Sequence, residues 1–456
     1  MIQNHVSTPE MLSDLKRLIA IPSKYTAPEE GMPYGKGVHD ALEFFRCRAE
    51  TLGFVARNLG YITEIVYGEG QETVYIACHG DVVPEGDGWH SDPFRAEIRD
   101  GRVYGRGAID NKGPAVAVLH ALAALKRAGI QPKKQIRLLI GGDEERGMQD
   151  LKTYVAEYGL PDYGLTPDSQ FPIVNTEVGV LFGDLCLECR EDSTLALVRL
   201  ESGRAYNCVP DFAVAELRSA VGWDPEEISA FEPSVSAKVQ GGRLLLEAVG
   251  RSAHGSVPWE GKSALLLLAG VLKTIWDRRS IAHPLLELLV RYLSPDCNGS
   301  AMGLYCEDAL CGPLSFNVGL CRYEAGRGFL GLDLRIPATV NGEEVLRKLE
   351  TFARTQGAEF RAGKLDPGTH IPAETPFMQK LAAAYEKACG KKAAFLTARG
   401  VTYAKAFGGR GVAFGPAESE EGEECGNLHG PDEYVAIKTL ENLAQIYYTV
   451  LRDLFC

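Results

Sequence analysis

Residues 136–150 read IRLLIGGDEERGMQD. Ile136 to Ile140 form a short, almost continuous apolar run, as expected of a strand covered on both faces. Two glycines follow, and then Asp143, Glu144 and Glu145. Three like charges standing together repel one another unless positive charge lies close by. The sequence therefore places a buried strand immediately before a site that calls for a cation.

A second apolar run, VYIAC at 74–78, ends the same way, in His79-Gly80-Asp81. Between the two, residues 115–128 carry a helical pattern just after Gly113-Pro114. Apolar strands alternating with helices predict an α/β domain, with a mixed, mostly parallel sheet covered by helices. Ligands of such sheets gather beyond the carboxyl ends of the strands, where both charged strings fall.

The rest of the 456 residues fits around that core. A chain of this length predicts two domains. At the N-terminus, Thr8-Pro9 followed by apolar positions 11, 12, 15, 18 and 19 predicts a capped amphipathic helix stopped by Pro22. From about 190 to 365 the pattern changes to alternating strands, LALVRL, FAVAELRS, RLLLEAVG, LSFNVGL and FLGLDLRI, with helix patterns at 262–277 and 343–355. After about 370 the α/β character returns, ending in a helix expected over 434–454. The expected organisation is a catalytic domain of residues 1–186 and 369–456, with an α+β domain of residues 187–368 inserted into it.

Composition narrows the function classes. Hydrophobic residues make up 45% and charged residues 24%, the balance of a globular domain. The formal charge is −13 and no basic stripe is visible, which argues against nucleic acid. MIQNHVSTPEMLSDLKRL lacks the pattern of a secretory leader, and the apolar run Ala264 to Val271 is too short to span a bilayer. The expectation is a cytoplasmic protein with no membrane partner. The 12 cysteines then read as free thiols. Cys186 and Cys189 form a CxxC, and Cys306 and Cys311 stand close, but no second pair sits at zinc-ribbon spacing.

Several residues could carry chemistry. His79 and Asp81, two apart in an extended segment, point the same way and suit a metal ligand and its partner; a histidine capping a strand end is the plainer alternative. Asp110, in YGRGAIDNKGP, stands just before a helix and could equally be its N-cap. Asp143 reads as a turn or helix-start residue. Glu144, Glu145, Asp168 (in TPDSQFP) and His429 (in NLHGP) complete a nitrogen and oxygen donor set without thiolate, which suits zinc, manganese or cobalt.

Taken in order, the strings ACHGDVVPEGDGWHSDPF, VYGRGAIDNKGP, GGDEERGM, TPDSQFP, GRSAHGSVPWEGKSA, RGVTYAKAF and HGPDEY resemble the M20 family of metallopeptidases, and within it the PepV-like dipeptidases. They span residues 77–434. The resemblance implies two divalent ions, zinc first, with manganese or cobalt as alternatives. His79 and Asp168 would hold one ion, Glu145 and His429 the other, and Asp110 would bridge them. Asp81 would brace His79, Glu144 would remain unligated as general base, and the Asp110-Asn111 peptide bond would be cis. The inserted domain would be a lid of the long kind found in monomeric members.

The same resemblance makes His254 (SAHGSVP) an oxyanion donor, and Asn207 (AYNCVPD) and Arg335 (LDLRIP) substrate contacts. Read alone, these are a loop histidine, a turn residue and a surface arginine. Arg399-Gly400-Val401-Thr402 departs by one residue from the Gly-Gly-Thr-Tyr string of the PepV-like proteins. Trp89 and Phe94 read as packing under their loop, and His90 and His120 as structural or exposed. The implied activity is hydrolysis of small unblocked dipeptides. An N-acyl amino acid deacylase or desuccinylase, and a metal-binding protein without turnover, remain the alternatives.

Overall fold

The computed structural model describes residues 6–223, 235–294, 296–418 and 426–456. The chain divides into two compact units, Met1–Thr176 with His370–Cys456, and Glu177–Thr369.

The first unit is built on a nine-stranded mixed sheet. At its centre Gln135–Gly141, Thr73–His79 and Tyr163–Thr166 run parallel, flanked by Gly411–Ala413, also parallel, and by the antiparallel Ile62–Tyr67. The apolar runs are buried on both faces as their composition requires: Val74, Ile76, Cys78, Ile136, Leu138 and Ile140 share a core with the helices Lys112–Arg127 and Ile437–Phe455. Register fixes the site. His79 is paired with Gly141, so the ends of the two apolar strands lie side by side. The neighbouring strand ends at Thr166, two residues before Asp168.

The second unit is an eight-stranded sheet whose order begins Val235–Gln240, Arg243–Val249, Phe212–Ser219, Leu195–Ser202, and continues Ser315–Glu324, Arg327–Ile336, Gly179–Glu188, Ala358–Asp366. Its pairs are antiparallel. The helices Ala264–Arg278 and Gly342–Thr355 share the core of this sheet.

Three local expectations need correction. The boundary expected at 186 cuts through Gly179–Glu188, which pairs along its whole length with Arg327–Ile336 and belongs to the second unit. The expected helix over 434–454 begins only at Ile437, because Tyr434–Ala436 is drawn into an antiparallel pair with Arg102–Tyr104. Thr8 is a helical residue and not a side-chain cap; the helix Thr8–Ile19 has Ser7 at its N-cap, and the Thr8 hydroxyl donates to Glu441.

Candidate metal centre

Three pieces of the first unit converge. The first is the pair of strand ends. His79 is wholly buried, and its Nδ1 lies 3.0 Å from the Asp81 carbonyl oxygen and 3.4 Å from Asp81 Oδ1. The Asp81 carboxylate also accepts from the backbone N–H groups of Glu144 and Glu145, at 3.4 and 3.2 Å. Asp81 thus ties the His79 ring to the 3-10 turn Glu144–Arg146. Asp143 serves the backbone: its carboxylate accepts from Gln149 N–H at the start of the helix Gln149–Tyr158. Beneath them Asp150 accepts from the N–H of Gly142 and of Asp143 and from the Tyr403 hydroxyl. A side chain at Gly141 would collide with Tyr403 and Asp150, so glycine is required there.

The second piece is the loop from Arg102–Tyr104 to the helix Lys112–Arg127. Asn111, not Asp110, occupies the N-cap position, and no side chain caps the helix. The Asp110-Asn111 peptide is cis. The Asn111 amide donates to Asp168 Oδ1 at 2.9 Å and to the Pro167 carbonyl at 2.7 Å, which fixes Asp168.

The third piece is the segment before Tyr434–Ala436. Its pairing with Arg102–Tyr104 carries His429 to Asp110. The two oxygens of Asp110 are divided between two imidazoles: Oδ1 lies 2.9 Å from His79 Nε2, and Oδ2 lies 3.0 Å from His429 Nε2. On the outer flanks Asp168 Oδ1 lies 3.7 Å from His79 Nε2, and Glu145 Oε2 lies 3.3 Å from His429 Nε2.

The electrostatics agree with a site that wants positive charge. Burial, and then the Asp168 charge, push the Glu144 carboxyl well above the usual carboxylate range. Burial and the Asp110 charge raise Glu145 to about 7 against the lowering contact of His429. Burial raises Asp168 as well. Burial also works against Asp110, but hydrogen bonds from His429 and His79 outweigh it and hold that carboxyl well below its ordinary value. Burial opposes charge on His429, yet Asp110 and Glu145 lift its pKa to about 11. A cluster that forces its own acids to hold protons is one that cations would relieve.

The residues present fit divalent ions. His79, Glu144 and Asp168 offer atoms within 4.8 Å of one another, as do His79, Asp110 and Glu145. Glu144 Oε1 is buried with no hydrogen-bond partner among the described residues. The donors are imidazole and carboxylate, and no cysteine joins either group.

The sequence of residues 75–453 matches the profile of peptidase family M20/M25/M40. The chain belongs to that family. A Bacillus subtilis relative described as "Putative dipeptidase YtjP" is 33% identical over 459 residues, covering 98% of this chain and 97% of its own length. Human carnosine dipeptidase 1 has a similar fold, with a TM-score of 0.60 at 17% identity over 98% of this chain and 96% of that one. So does an M20 metallo-carboxypeptidase of Sulfolobus solfataricus, with a TM-score of 0.61 at 18% identity over 97% and 99%. As an M20 member with this mixed α/β fold, the chain is a peptidase-family hydrolase. Among the described residues no helix is long and apolar enough to cross a membrane.

The remaining candidates lie in the second unit. Asn207 and His254 sit on facing segments: the Asn207 carbonyl accepts from Gly255 N–H at 2.7 Å, and Cys208 bridges to His254. His254 Nδ1 lies 2.6 Å from the Ser256 hydroxyl. Arg335, a surface residue if read alone, is 4% exposed, and its guanidinium meets Asp333 through two nitrogens, at 2.8 and 3.0 Å. Asp333 in turn lies against Gly255, where a Cβ would stand 2.6 Å from Asp333 Oδ2. His254, Asn207 and the Arg335–Asp333 pair therefore form one neighbourhood within their unit.

Sequence reasoning missed Asn111, Asp150, Arg106 and Glu433. Each lies inside or beside a string already notable for its charges, but a buried strut and a surface charge look alike in sequence. Trp89 donates to the Glu85 carbonyl and stands beside the Arg106 guanidinium, and Phe94 faces Lys24. His120 is buried against Asp14, while His90 is exposed and pairs with Asp432.

Proposed function

We propose that the protein is a metal-dependent dipeptidase that hydrolyses the amide bond of small unblocked dipeptides. The observation that carries this reading is the division of Asp110 between two histidines, each flanked by one further carboxylate. His79 and Asp168 would hold one divalent ion, His429 and Glu145 a second, and Asp110 both; zinc suits the donors best, with manganese or cobalt as alternatives. Bound there, the ions would make a water acidic enough to lose its proton near neutral pH and would polarise the scissile carbonyl.

The chain supplies the rest. Glu144, with one carboxylate oxygen unpartnered, takes the proton of the attacking water and returns it to the leaving amine. Asp81 holds the His79 ring and the backbone of both glutamates. The second unit acts as the lid: His254 donates to the developing oxyanion, and Asn207 and Arg335 contact the substrate. The name of the Bacillus relative favours dipeptides. The protein works as a cytoplasmic monomer.

The test is a matched substrate set assayed after chelation and after adding back zinc, manganese or cobalt. It comprises free dipeptides, their N-acetyl forms, tripeptides, and N-acetyl or N-succinyl amino acids. Cleavage confined to free dipeptides is expected. Cleavage of the acylated amino acids would replace the substrate with that of a deacylase or desuccinylase. No cleavage with any metal would leave a binding protein without turnover.

A further inference from the structure

Outside the ligand set, one buried ion pair touches all three segments that form the site. Glu433 and Arg106 are each 1% exposed, and Arg106 Nη1 donates to Glu433 Oε2 at 2.6 Å. The Glu433 carboxylate accepts three further hydrogen bonds, from the backbone N–H groups of Gly107, Ile109 and Asp110, at 3.0, 3.1 and 3.2 Å. The other guanidinium nitrogen, Nη2, donates to the carbonyls of His429 and Gly430, both at 3.1 Å, and to that of Glu85 at 3.2 Å. The pair thus grips the backbone of Asp110, the backbone of His429, and the segment that follows Asp81.

The His429 segment needs such a grip. Asn427, His429 and Asp432 have φ of 52°, 58° and 54°, the left-handed region that residues other than glycine adopt at a cost. His429 keeps 48% of its side chain exposed, so packing does little to fix it. On the other flank, His79 ends a strand paired along its whole length with Gln135–Gly141, so its backbone is placed by the sheet.

We propose that Arg106 and Glu433 are positioning residues that set the distance between Asp110 and His429, and so bear more on the metal position shared by His429 and Glu145 than on the one at His79 and Asp168, whose histidine is placed by its strand. This inference rests on the two-ion reading above. A carboxylate that receives a guanidinium and three amides cannot shift without moving the Asp110 backbone. A guanidinium that also holds the His429 carbonyl carries any such shift to the second histidine. Partners of this kind, one step behind the ligands, typically alter metal affinity by about 10–100-fold.

The experiment is calorimetric titration of the chelated full-length protein with zinc chloride, with bound metal counted after gel filtration. Wild type, Glu433→Gln, Arg106→Lys and the control Asp14→Asn are compared, the last altering a buried ion pair away from the site. Wild type is expected to bind two equivalents; one or none would overturn the two-ion reading itself. With two in wild type, Glu433→Gln and Arg106→Lys should keep one tight equivalent and weaken the other by about 10–100-fold, while Asp14→Asn keeps both. Wild-type binding of both equivalents by the two site variants would overturn the positioning role. So would equal weakening of both equivalents, or failure of both variants to fold, since either result marks a general stability element.

Discussion

The two histidines that flank Asp110 stand on opposite kinds of backbone. His79 ends a buried parallel strand, is wholly covered, and is aligned by its register with Gly141. His429 is on an irregular segment with left-handed residues and is half exposed. One flank of the centre is therefore fixed by the sheet, and the other must be tied down by side chains. A rigid flank beside a tied flank lets one carboxylate meet two imidazoles without the whole site being built on regular structure.

The largest expected effect concerns the residue that belongs to neither flank as a ligand. Glu144→Ala should lower turnover by about 10²–10⁴-fold while bound metal stays at the wild-type level, checked by kinetics and metal analysis on one preparation. Loss of metal would make Glu144 a ligand beside His79 and Asp168, as their proximity also allows.

Chelation should divide the flanks. Removing each ion withdraws about 2.7 kcal/mol of stability at a metal concentration 100 times its Kd. Amide exchange should rise mostly across 426–433 and little in Thr73–His79 or Gln135–Gly141, because only the first relies on side-chain ties. Equal rises in both would erase the distinction.

Asp81→Asn acts on the strand flank. It weakens the hold on His79 and on the backbone of Glu144 and Glu145, and should cost about 10–100-fold in metal affinity. A titration that instead shows loss confined to the equivalent sensitive to Arg106→Lys would reverse the assignment of flanks.

The smallest effect should appear where neither flank is touched. Burial raises the Asp14 carboxyl, but hydrogen bonds from His120 and Arg48 outweigh it and hold it below 3.8. The stabilisation is then fully present above about pH 4 and is lost as pH falls through the lower folded value. Asp14→Asn should cost about 1.5 kcal/mol near neutral pH and flatten the acid limb of a melting curve, with metal binding unchanged.

What could be read from sequence follows the same division. The α/β architecture and the charged strand ends at His79–Asp81 and Glu144–Glu145 were visible in the apolar runs, because a strand covered on both faces has no polar alternation. The ligand roles expected of His429 and Asp168 rest on family resemblance alone, since no periodicity marks an irregular segment. Arg335 could be mistaken for a surface residue because alternation assumes one solvated face, whereas Arg327–Ile336 is buried on both faces over most of its length. The boundary expected at 186 splits Gly179–Glu188, since a strand pattern does not say which sheet it joins. Arg106 and Glu433 lie within the strings VYGRGAIDNKGP and HGPDEY, but no sequence pattern tells that their charges are spent on each other and on backbone.

The most direct measurement is a crystal structure of the zinc-loaded protein with anomalous data at the zinc edge. Two peaks about 3.5–4 Å apart are expected, one beside His79 and Asp168 and one beside Glu145 and His429, with Asp110 between them and Glu144 bound to neither. A single peak, or Glu144 coordinated alongside His79 and Asp168, would contradict the two-ion centre with a free general base.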